Sequence, residues 1–339
     1  MSPCVSFVIP NWNRRDLLLA LLGSVRAQTL QPVEVLVVDN GSQDGSVELA
    51  REAGARVLEL KANRGFSFAV NRGIEAARGD LIAILNNDVE LEPDWTEKLA
   101  ASLEQSGGWF AIGKLLDYAN RDRIDGAGDA ICRGGAACRL GHARPDSVFF
   151  YTPRVTFFPS ATAVLMRRGF LERAGNFDES FFAYLEDVDL GLRAALLDMG
   201  GIYTPGAVAY HRGSATLGAW SSEMVKCLTR NQILLLAKFY PWALIWRFRI
   251  PILAAQALWA AMAARRGRLL AWLRGAASGL GSSLAVRRSA VRWRKDGNRL
   301  AEILLRSEGE LVRVQSAAGW DDYWRWYFRL APHPQEPAP

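Results

Sequence analysis

Carboxylates occur at two points of the sequence where the neighbouring residues indicate a role in catalysis or in metal binding. Leu81–Leu85 is a continuous apolar run, and Asn86, Asn87 and Asp88 follow it directly. A carboxylate fixed at the carboxyl end of a buried strand can bind a divalent cation that also holds phosphate oxygens. Asparagine and aspartate are also ordinary turn residues, so a simple loop cap is the alternative at this position.

The second point is a cluster of three acids in four residues, Glu186, Asp187 and Asp189, which follows the aromatic run Phe181–Tyr184. The apolar spacing after it predicts a helix, and acids are stabilised at a helix N-terminus by the helix dipole. That effect explains one or two carboxylates. Three beside an aromatic run exceed what a helix start requires, so the cluster indicates a functional site.

Alternating strands and helices must position these groups. Buried strands are predicted at 5–10, 33–38, 56–60 and 81–88, with a helix after each of the first three. Spacing of roughly 20–25 residues between strands is typical of crossover units and predicts a largely parallel sheet. No G-x-G-x-x-G follows the first strand and no P-loop is present, which argues against the dinucleotide-binding and P-loop classes.

Four polar loops follow predicted strands of this sheet. Because the carboxyl ends of parallel strands meet at one edge, we expect these loops to lie together and to bind the ligand. They are Asp39–Asp44, Asn63–Arg64, Asn86–Asp88 and His211–Ser214.

Six motifs in this order resemble the family-two inverting glycosyltransferases, most of all their bacterial rhamnosyltransferase-type members. The resemblance covers about residues 4–240 and implies a GT-A-type nucleotide-sugar-binding α/β fold with a mostly parallel central sheet. The motifs are P-N-W-N-R, V-V-D-N-G-S-Q-D-G-S, N-R-G-F-S-F-A-V-N-R-G, L-N-N-D-V, Y-L-E-D-V-D-L-G-L-R and Y-H-R-G-S.

The resemblance also implies roles for individual residues in binding a nucleotide-sugar donor. Asp39 matches the family's contact to the nucleotide base, Asn63 and Arg64 its contacts to nucleotide or phosphate, and Asn86 a possible bond to the ribose. The full set of implied donor-binding residues is Pro10, Asn11, Asn13, Asp39, Asn63, Arg64, Asn71, Asn86 and Asn87. Asp39 as a mere turn former is the alternative.

Catalytic and metal-binding roles are implied in the same way. Asp187 matches the catalytic base and Glu186 its neighbour, whereas Asp88 and His211 match the ligands of a divalent cation. The D-x-D motif of the family is incomplete, because Asn86 replaces its first acid. The cofactor is Mn²⁺ or Mg²⁺, and an imidazole ligand suits Mn²⁺ better. His211 capping the end of its strand is the alternative.

Charge is distributed unevenly along the chain. The net charge is +6, yet residues 225–300 contain 15 Lys and Arg against one acid, a net charge of +14, together with five tryptophans. Tryptophan and arginine around apolar helices are typical of an interfacial membrane anchor, and a buried helical hairpin is the alternative. The high density of apolar residues in this segment argues against nucleic acid as its binding partner. The predicted domains are therefore 1–224 (catalytic), 225–300 (basic and helical) and 301–339 (C-terminal, with a Pro-rich tail).

These observations predict an inverting transferase that moves a sugar, with rhamnose favoured, from a nucleotide-diphosphate donor to a lipid-linked or cell-envelope glycan hydroxyl. The alternative is a catalytically inactive, membrane-associated scaffold with the same fold. The four cysteines match no metal knuckle and no redox pair, and no signal peptide is expected before Val5. We therefore expect the protein in the cytoplasm, attached peripherally to the inner face of the membrane. The sequence leaves the oligomeric state open.

Overall fold

A computed structural model of the chain describes residues 3–213 and 218–334. Contacts divide the chain into two compact units. The first comprises Met1–Asp129 and His142–Thr216, and the second comprises Ala130–Gly141 and Leu217–Pro339. The stretch 130–141, which lies inside the predicted catalytic domain 1–224, therefore groups with the second unit, whereas the boundaries at 224 and 300 stay predictions.

Twelve strands occur in the described part of the chain. They are β1 Val5–Asn11, β2 Glu34–Asp39, β3 Arg56–Glu59, β4 Leu81–Leu85, β5 Val89–Leu91, β6 Phe110–Asp117, β7 Ile124–Gly126, β8 Asp129–Ile131, β9 Ala137–Arg139, β10 Arg154–Thr156, β11 Ala163–Arg167 and β12 Gly201–His211.

Six α-helices belong to the first unit and six to the second. They are α1 Arg15–Arg26, α2 Ser46–Glu52, α3 Phe66–Ala76, α4 Trp95–Ser106, α5 Arg168–Ala174, α6 Glu186–Leu196, α7 Ser222–Phe239, α8 Trp242–Arg247, α9 Arg249–Arg265, α10 Leu269–Ser289, α11 Gly297–Ala318 and α12 Asp322–Leu330; 3₁₀ turns lie at Val148–Tyr151, Glu179–Phe181 and Val291–Arg294.

The first unit is built on one large sheet with the strand order β10-β12-β6-β11-β4-β1-β2-β3. Strands β4, β1, β2 and β3 are mutually parallel, as the alternating pattern predicts. Strand β11 runs antiparallel between β4 and β6, and β12 is parallel to β6. Because β11 is antiparallel to both β4 and β6, strands β6 and β12 run in the same direction as β4. The carboxyl ends of β4 and β12 therefore lie at the same edge of the sheet. The predicted α/β class with a mostly parallel central sheet is confirmed.

Apolar side chains on both faces of the sheet explain why its central strands form. All seven residues of β1 and all five of β4 are buried. Helix α1 packs its leucine stripe against one face, with Leu18 and Leu21 fully buried beside Phe7 and Ile9. The polar residues that follow the strands are thereby held on a rigid support.

The second unit is helical and contains the small antiparallel pair β8–β9. The hairpin is tied to helix α11, because the Ile131 N–H donates to Ser307 Oγ at 2.8 Å and Arg133 Nε donates to the fully buried carboxylate of Glu308. These bonds explain why 130–141 groups with the helices. No helix among the described residues is long and apolar enough to cross a membrane.

Candidate active site

Asp39 ends β2 and shapes the loop that follows. Its Oδ1 accepts hydrogen bonds from the N–H groups of Gly41 at 3.1 Å and Ser42 at 2.8 Å, and the residue is 2% exposed. Gly41 has φ +84°, and a Cβ there would lie 2.9 Å from the Ala62 Cα, so glycine is required. Asp39 does form a turn, and its oxygens keep lone pairs for a further donor.

Asparagine side chains join the ends of three neighbouring strands. Asn87 Nδ2 donates to Asn11 Oδ1 at 2.8 Å, and Asn11 Nδ2 donates to Asp39 Oδ2 at 3.3 Å. Pro10 lies in buried β1, one residue before Asn11. Asn13 Oδ1 accepts from the Gln43 N–H at 3.0 Å. The structure therefore brings the predicted residues of β1, β2 and β4 together at one edge.

The Asn63–Arg64 loop adjoins the same edge. Arg64 donates its backbone N–H to Asn40 Oδ1 at 2.9 Å, and its guanidinium lies 4.1 Å from the centroid of the Phe68 ring. Asn63 Oδ1 accepts from the Gly65 N–H at 2.9 Å. These contacts fix the loop and leave the Arg64 side chain stacked on helix α3.

Asn71 lies on α3 and has a different set of contacts. Its Oδ1 accepts from the Phe177 N–H at 3.0 Å, and its Nδ2 donates to the Phe177 carbonyl at 2.9 Å and to Glu179 Oε1 at 3.0 Å. The amide thus anchors the turn at 177–179. A contact between Asn71 and the donor stays a prediction.

Asp88 and His211 meet where β5 pairs with the end of β12. Arg212 donates its N–H to the Asp88 carbonyl at 3.0 Å, and His211 Nε2 lies 3.3 Å from Asp88 Oδ1. Both residues are buried, 6% and 2% exposed. Ser214, the last residue of the predicted loop, lies outside the described residues.

Asp125 completes this arrangement and was not expected from the sequence. His211 Nδ1 lies 2.7 Å from Asp125 Oδ2, and Asp125 is 3% exposed. Assigning the Nδ1 proton to this bond leaves the Nε2 lone pair directed at Asp88. Metal-binding histidines are typically oriented by such a carboxylate. Asp125 lies on β7 in a stretch without clear periodicity, so no local signal marks it.

The residues present fit a divalent cation held partly by its substrate. Among the described residues, no three His, Cys, Asp or Glu side chains converge as a complete metal cage. One carboxylate and one imidazole, the latter backed by Asp125, are a donor set that leaves positions for diphosphate oxygens. The donor set is therefore compatible with a divalent cation, and Asp88 and His211 as its ligands stay a prediction.

Asp187 stands at the start of α6 and is linked to the loop of Asn86. Its Oδ2 accepts from the Ala161 N–H at 3.3 Å, and the next carbonyl, that of Thr162, accepts from the Asn86 N–H at 2.9 Å. Asp187 is half-buried, and Asn86 is also partly exposed. One short segment before β11 thus holds the predicted base and the Asn86–Asp88 turn.

Glu186 is adjacent in sequence but differs in environment. It is 7% exposed, and its Oε2 has no hydrogen-bond partner within the part of the chain that is described. Burial, and then the neighbouring carboxylate of Asp187, raise the pKa of Glu186 well above its usual value. The raised pKa favours the protonated form of Glu186, which reduces the repulsion between its carboxyl group and that of Asp187.

An unusual backbone precedes these acids. Phe182, Tyr184 and Leu185 have φ angles of 61°, 71° and 65°, in the left-handed region that non-glycine residues seldom adopt. The Phe182 carbonyl accepts from the Phe66 N–H at 2.6 Å, which fastens the loop to the start of α3. Strain of this kind is typical of functional loops held by their surroundings.

The i,i+4 spacing of Asp189 and Arg193 predicts a solvated ion pair on the surface of α6. The pair forms, but it is buried. The Nε–Oδ2 distance is 2.9 Å, and the residues are 0% and 3% exposed. Arg193 also donates to the carbonyls of Gly175 at 2.9 Å and Asn176 at 3.0 Å. Because the guanidinium binds this turn, α6 is fixed against α5 and the pair is buried.

Comparison with known proteins identifies the family to which the chain belongs. A model described as Glycosyl transferase family 2 matches residues 6–175. An uncharacterized protein, y4gI, of Sinorhizobium fredii is 30% identical over 252 residues, which are 68% of this chain and 27% of that protein. The N-acetylglucosaminyl-diphospho-decaprenol L-rhamnosyltransferase of Mycobacterium tuberculosis is 30% identical over 223 residues, 58% of this chain and 72% of that enzyme.

Solved structures agree at the level of the fold. The crystal structure of GalNAc-T7 with UDP, GalNAc and Mn²⁺ has a TM-score of 0.60 and 15% identity, covering 76% of this chain and 51% of that one. The crystal structure of S. aureus TarS 1-349 has a TM-score of 0.53 and 16% identity, covering 93% and 90%. The predicted GT-A-type fold is confirmed, and the chain belongs to glycosyltransferase family 2.

Proposed function

We propose that the protein transfers a sugar, with inversion, from a nucleotide-diphosphate donor to a hydroxyl of a lipid-linked or cell-envelope glycan acceptor. The observation that carries the proposal is the position of Asp187. This carboxylate is half-buried, lies beside the buried carboxyl group of Glu186, whose pKa is raised, and is linked through residues 161–162 to the loop of Asn86. Such a group can accept the proton of an attacking hydroxyl, which is worth about 10²–10⁴-fold in rate.

Residues at the other loops hold the donor. The Asp39 turn binds the nucleotide base, Asn86 bonds the ribose, and Arg64 approaches the phosphates. Asp88 and His211 hold a divalent cation, Mn²⁺ rather than Mg²⁺ because imidazole is a ligand that Mn²⁺ accepts more readily. When bound, this cation would neutralise charge that develops on the leaving diphosphate. Asp125 keeps the imidazole in the orientation that this requires.

The names of relatives favour particular substrates. The mycobacterial relative is an L-rhamnosyltransferase acting on a diphospho-decaprenol, and a relative from Aeromonas hydrophila is an undecaprenyl-phosphate sugar transferase. We therefore propose deoxythymidine-diphosphate-rhamnose as the donor and a polyprenyl-linked sugar as the acceptor, at the cytoplasmic face of the membrane. UDP-galactose and UDP-N-acetylglucosamine are the donors to compare with it.

The test measures release of nucleotide diphosphate from each donor, with Mn²⁺ and a crude membrane lipid extract as acceptor. One donor should be turned over by the wild type. Asp187→Asn should bind that donor with unchanged affinity and lose about 10²–10⁴-fold in turnover. Asp122→Asn, at an exposed aspartate of the same unit, is the matched control. Unchanged turnover in Asp187→Asn would falsify the assignment of the base.

One observation favours a second candidate, a catalytically inactive scaffold that binds assembly partners. The family's first metal-binding acid is an amide here, Asn86, which weakens the cation site. The scaffold predicts that nucleotide binding ignores Mn²⁺ and survives Asp88→Ala. Manganese-dependent binding that Asp88→Ala abolishes, together with turnover, would exclude it.

A further inference from the structure

The second unit exposes apolar side chains on three successive helices. Helix α8 exposes tryptophans, and α9 and α10 expose leucines, and six of these side chains are each 50–71% exposed. These residues define the outer face: Trp242, Trp246, Leu253, Leu273, Leu280 and Leu284. Leucines at 273, 280 and 284 are spaced so that they share one side of a helix.

Packing on the opposite side of α10 fixes this orientation. Gly275 and Gly279 face α7, where a Cβ at Gly275 would lie 2.5 Å from the Lys226 carbonyl oxygen and one at Gly279 would lie 2.9 Å from the Ile233 Cβ. The helices approach closely because these positions lack side chains. The leucines of the outer face therefore cannot turn inward without separating α10 from α7.

The charges around the outer face are almost all positive. Residues 225–300 contain 15 Lys and Arg and one acid. Arg247, Arg274, Arg288 and Arg292 are exposed on or next to the same helices. A surface that is both apolar and cationic complements a layer with an apolar interior and anionic head groups.

A basic cavity adjoins Trp242. It measures about 400 Å³ and is lined by Pro241, Trp242, Arg287, Val291, Arg294 and Lys295. Arg287 and Arg294 are held in place because they donate to the Ala237 carbonyl at 3.2 and 3.3 Å, at the end of α7. Burial and the neighbouring Arg294 lower the pKa of Arg287, which indicates cations crowded together. An anionic phosphate is the group that such a cavity would bind.

We propose that the outer face of α8, α9 and α10 docks on the surface of an anionic phospholipid bilayer, with the cavity of Arg287, Arg294 and Lys295 receiving a lipid phosphate. Tryptophans and leucines enter the boundary between head groups and acyl chains, and exposed arginines contact the head groups. None of these residues belongs to the candidate active site, so this proposal and the proposed function stand or fall separately.

The experiment is co-sedimentation of the full chain with vesicles of phosphatidylcholine alone and of phosphatidylcholine mixed with phosphatidylglycerol. We expect binding to the anionic vesicles, weakened by salt. Arg288→Glu with Arg292→Glu should weaken it at least about tenfold, since each basic residue contributes about 1 kcal/mol near anionic lipid. Arg173→Glu, at an exposed arginine of the first unit, should not.

The apolar contribution is tested by Leu253→Ser with Leu280→Ser, which should release the protein from anionic vesicles. Leu19→Ser and Val148→Ser, at exposed apolar positions of the first unit, are the matched controls. Lys295→Gln tests the cavity and should weaken binding to the anionic vesicles.

Three results would overturn the proposal. They are absence of binding to anionic vesicles, equal binding to both vesicle types, and a dimer in light scattering that Leu253→Ser with Leu280→Ser dissociates. The last would assign the outer face to a second copy of the chain. Release of nucleotide diphosphate from the donor is measured separately, without vesicles. It shows whether the catalytic unit is active regardless of the outcome for membrane binding.

Discussion

Arg193 in the first unit and the pair Arg288 and Arg292 in the second use the same side chain in opposite ways. In the first unit Arg193 is 3% exposed, pairs with Asp189 and binds the carbonyls of a turn, so its charge fixes α6 against the turn that follows α5. In the second unit Arg288 and Arg292 are exposed and belong to a segment with one acid among fifteen bases. The first arrangement fixes internal geometry, whereas the second leaves charge available to something outside the chain.

The largest effect on stability should come from Arg193→Met. This change leaves the carboxylate of Asp189 buried without its partner, which typically costs about 3–5 kcal/mol in the free energy of unfolding. Urea denaturation measures it. Arg51→Met, which removes an exposed ion pair with Glu59, should cost about 0–1 kcal/mol. Equal losses in the two variants would remove the contrast between buried and exposed arginines.

A smaller effect, on the affinity for a divalent cation, is expected when Asp125 is substituted, because this residue acts through its contact with His211. Asp125→Asn weakens the bond that orients the imidazole, and loss of such a partner typically reduces metal affinity about 10–100-fold. Electron paramagnetic resonance of free Mn²⁺ during titration of the protein with nucleotide diphosphate present measures this affinity. Asp122→Asn is the control, and an unchanged affinity for Mn²⁺ in Asp125→Asn would show that the contact is only structural.

The third prediction concerns pH. Because burial and Asp187 raise the pKa of Glu186, the folded protein keeps this proton after the unfolded chain has released it. The resulting stability is fully present below the unfolded value of 4.5 and is lost as the pH rises toward the folded pKa. Glu186→Gln has no proton to lose, so its Tm relative to the wild type should rise from about pH 5 upward. Parallel Tm curves would contradict this.

The smallest effect should be that of Arg288→Gln on folding. An exposed charge without a buried partner is usually worth less than about 0.5 kcal/mol, so the free energy of unfolding should stay unchanged within that range. Vesicle binding by the same variant should nevertheless weaken. A variant that loses stability and vesicle binding together would place Arg288 among the structural arginines.

Local patterns explain why the first unit was largely predictable. Strand β4 is a continuous apolar run, β1 is apolar except for Ser6 and Asn11, and the residues after them are polar, so both the sheet and its polar edge follow from the sequence. Strand β2 was predicted at 33–38 and is observed at Glu34–Asp39, whereas β4 ends at Leu85, before the predicted end at Asp88. These features depend on neighbours along the chain, which periodicity records directly.

Features set by distant residues were missed. Asp125 meets His211 across 86 positions of sequence, and Arg133 meets Glu308 across 175. Neither contact has a periodic signal, because both lie in or beside a stretch of short strands and glycines. The burial of the Asp189–Arg193 pair also depended on a distant turn, so the spacing predicted the pair but not its environment.

The left-handed residues Phe182, Tyr184 and Leu185 have a consequence for engineering. Each such residue stores of order 1–3 kcal/mol, and glycine at Tyr184 or Leu185 would relax that stored energy. The same glycine would loosen the approach to Asp187, whose position depends on this stretch. Substitutions intended to raise the Tm are therefore better placed on distant helices. In this loop, a substitution that relieves strain would also make the position of Asp187 less precise.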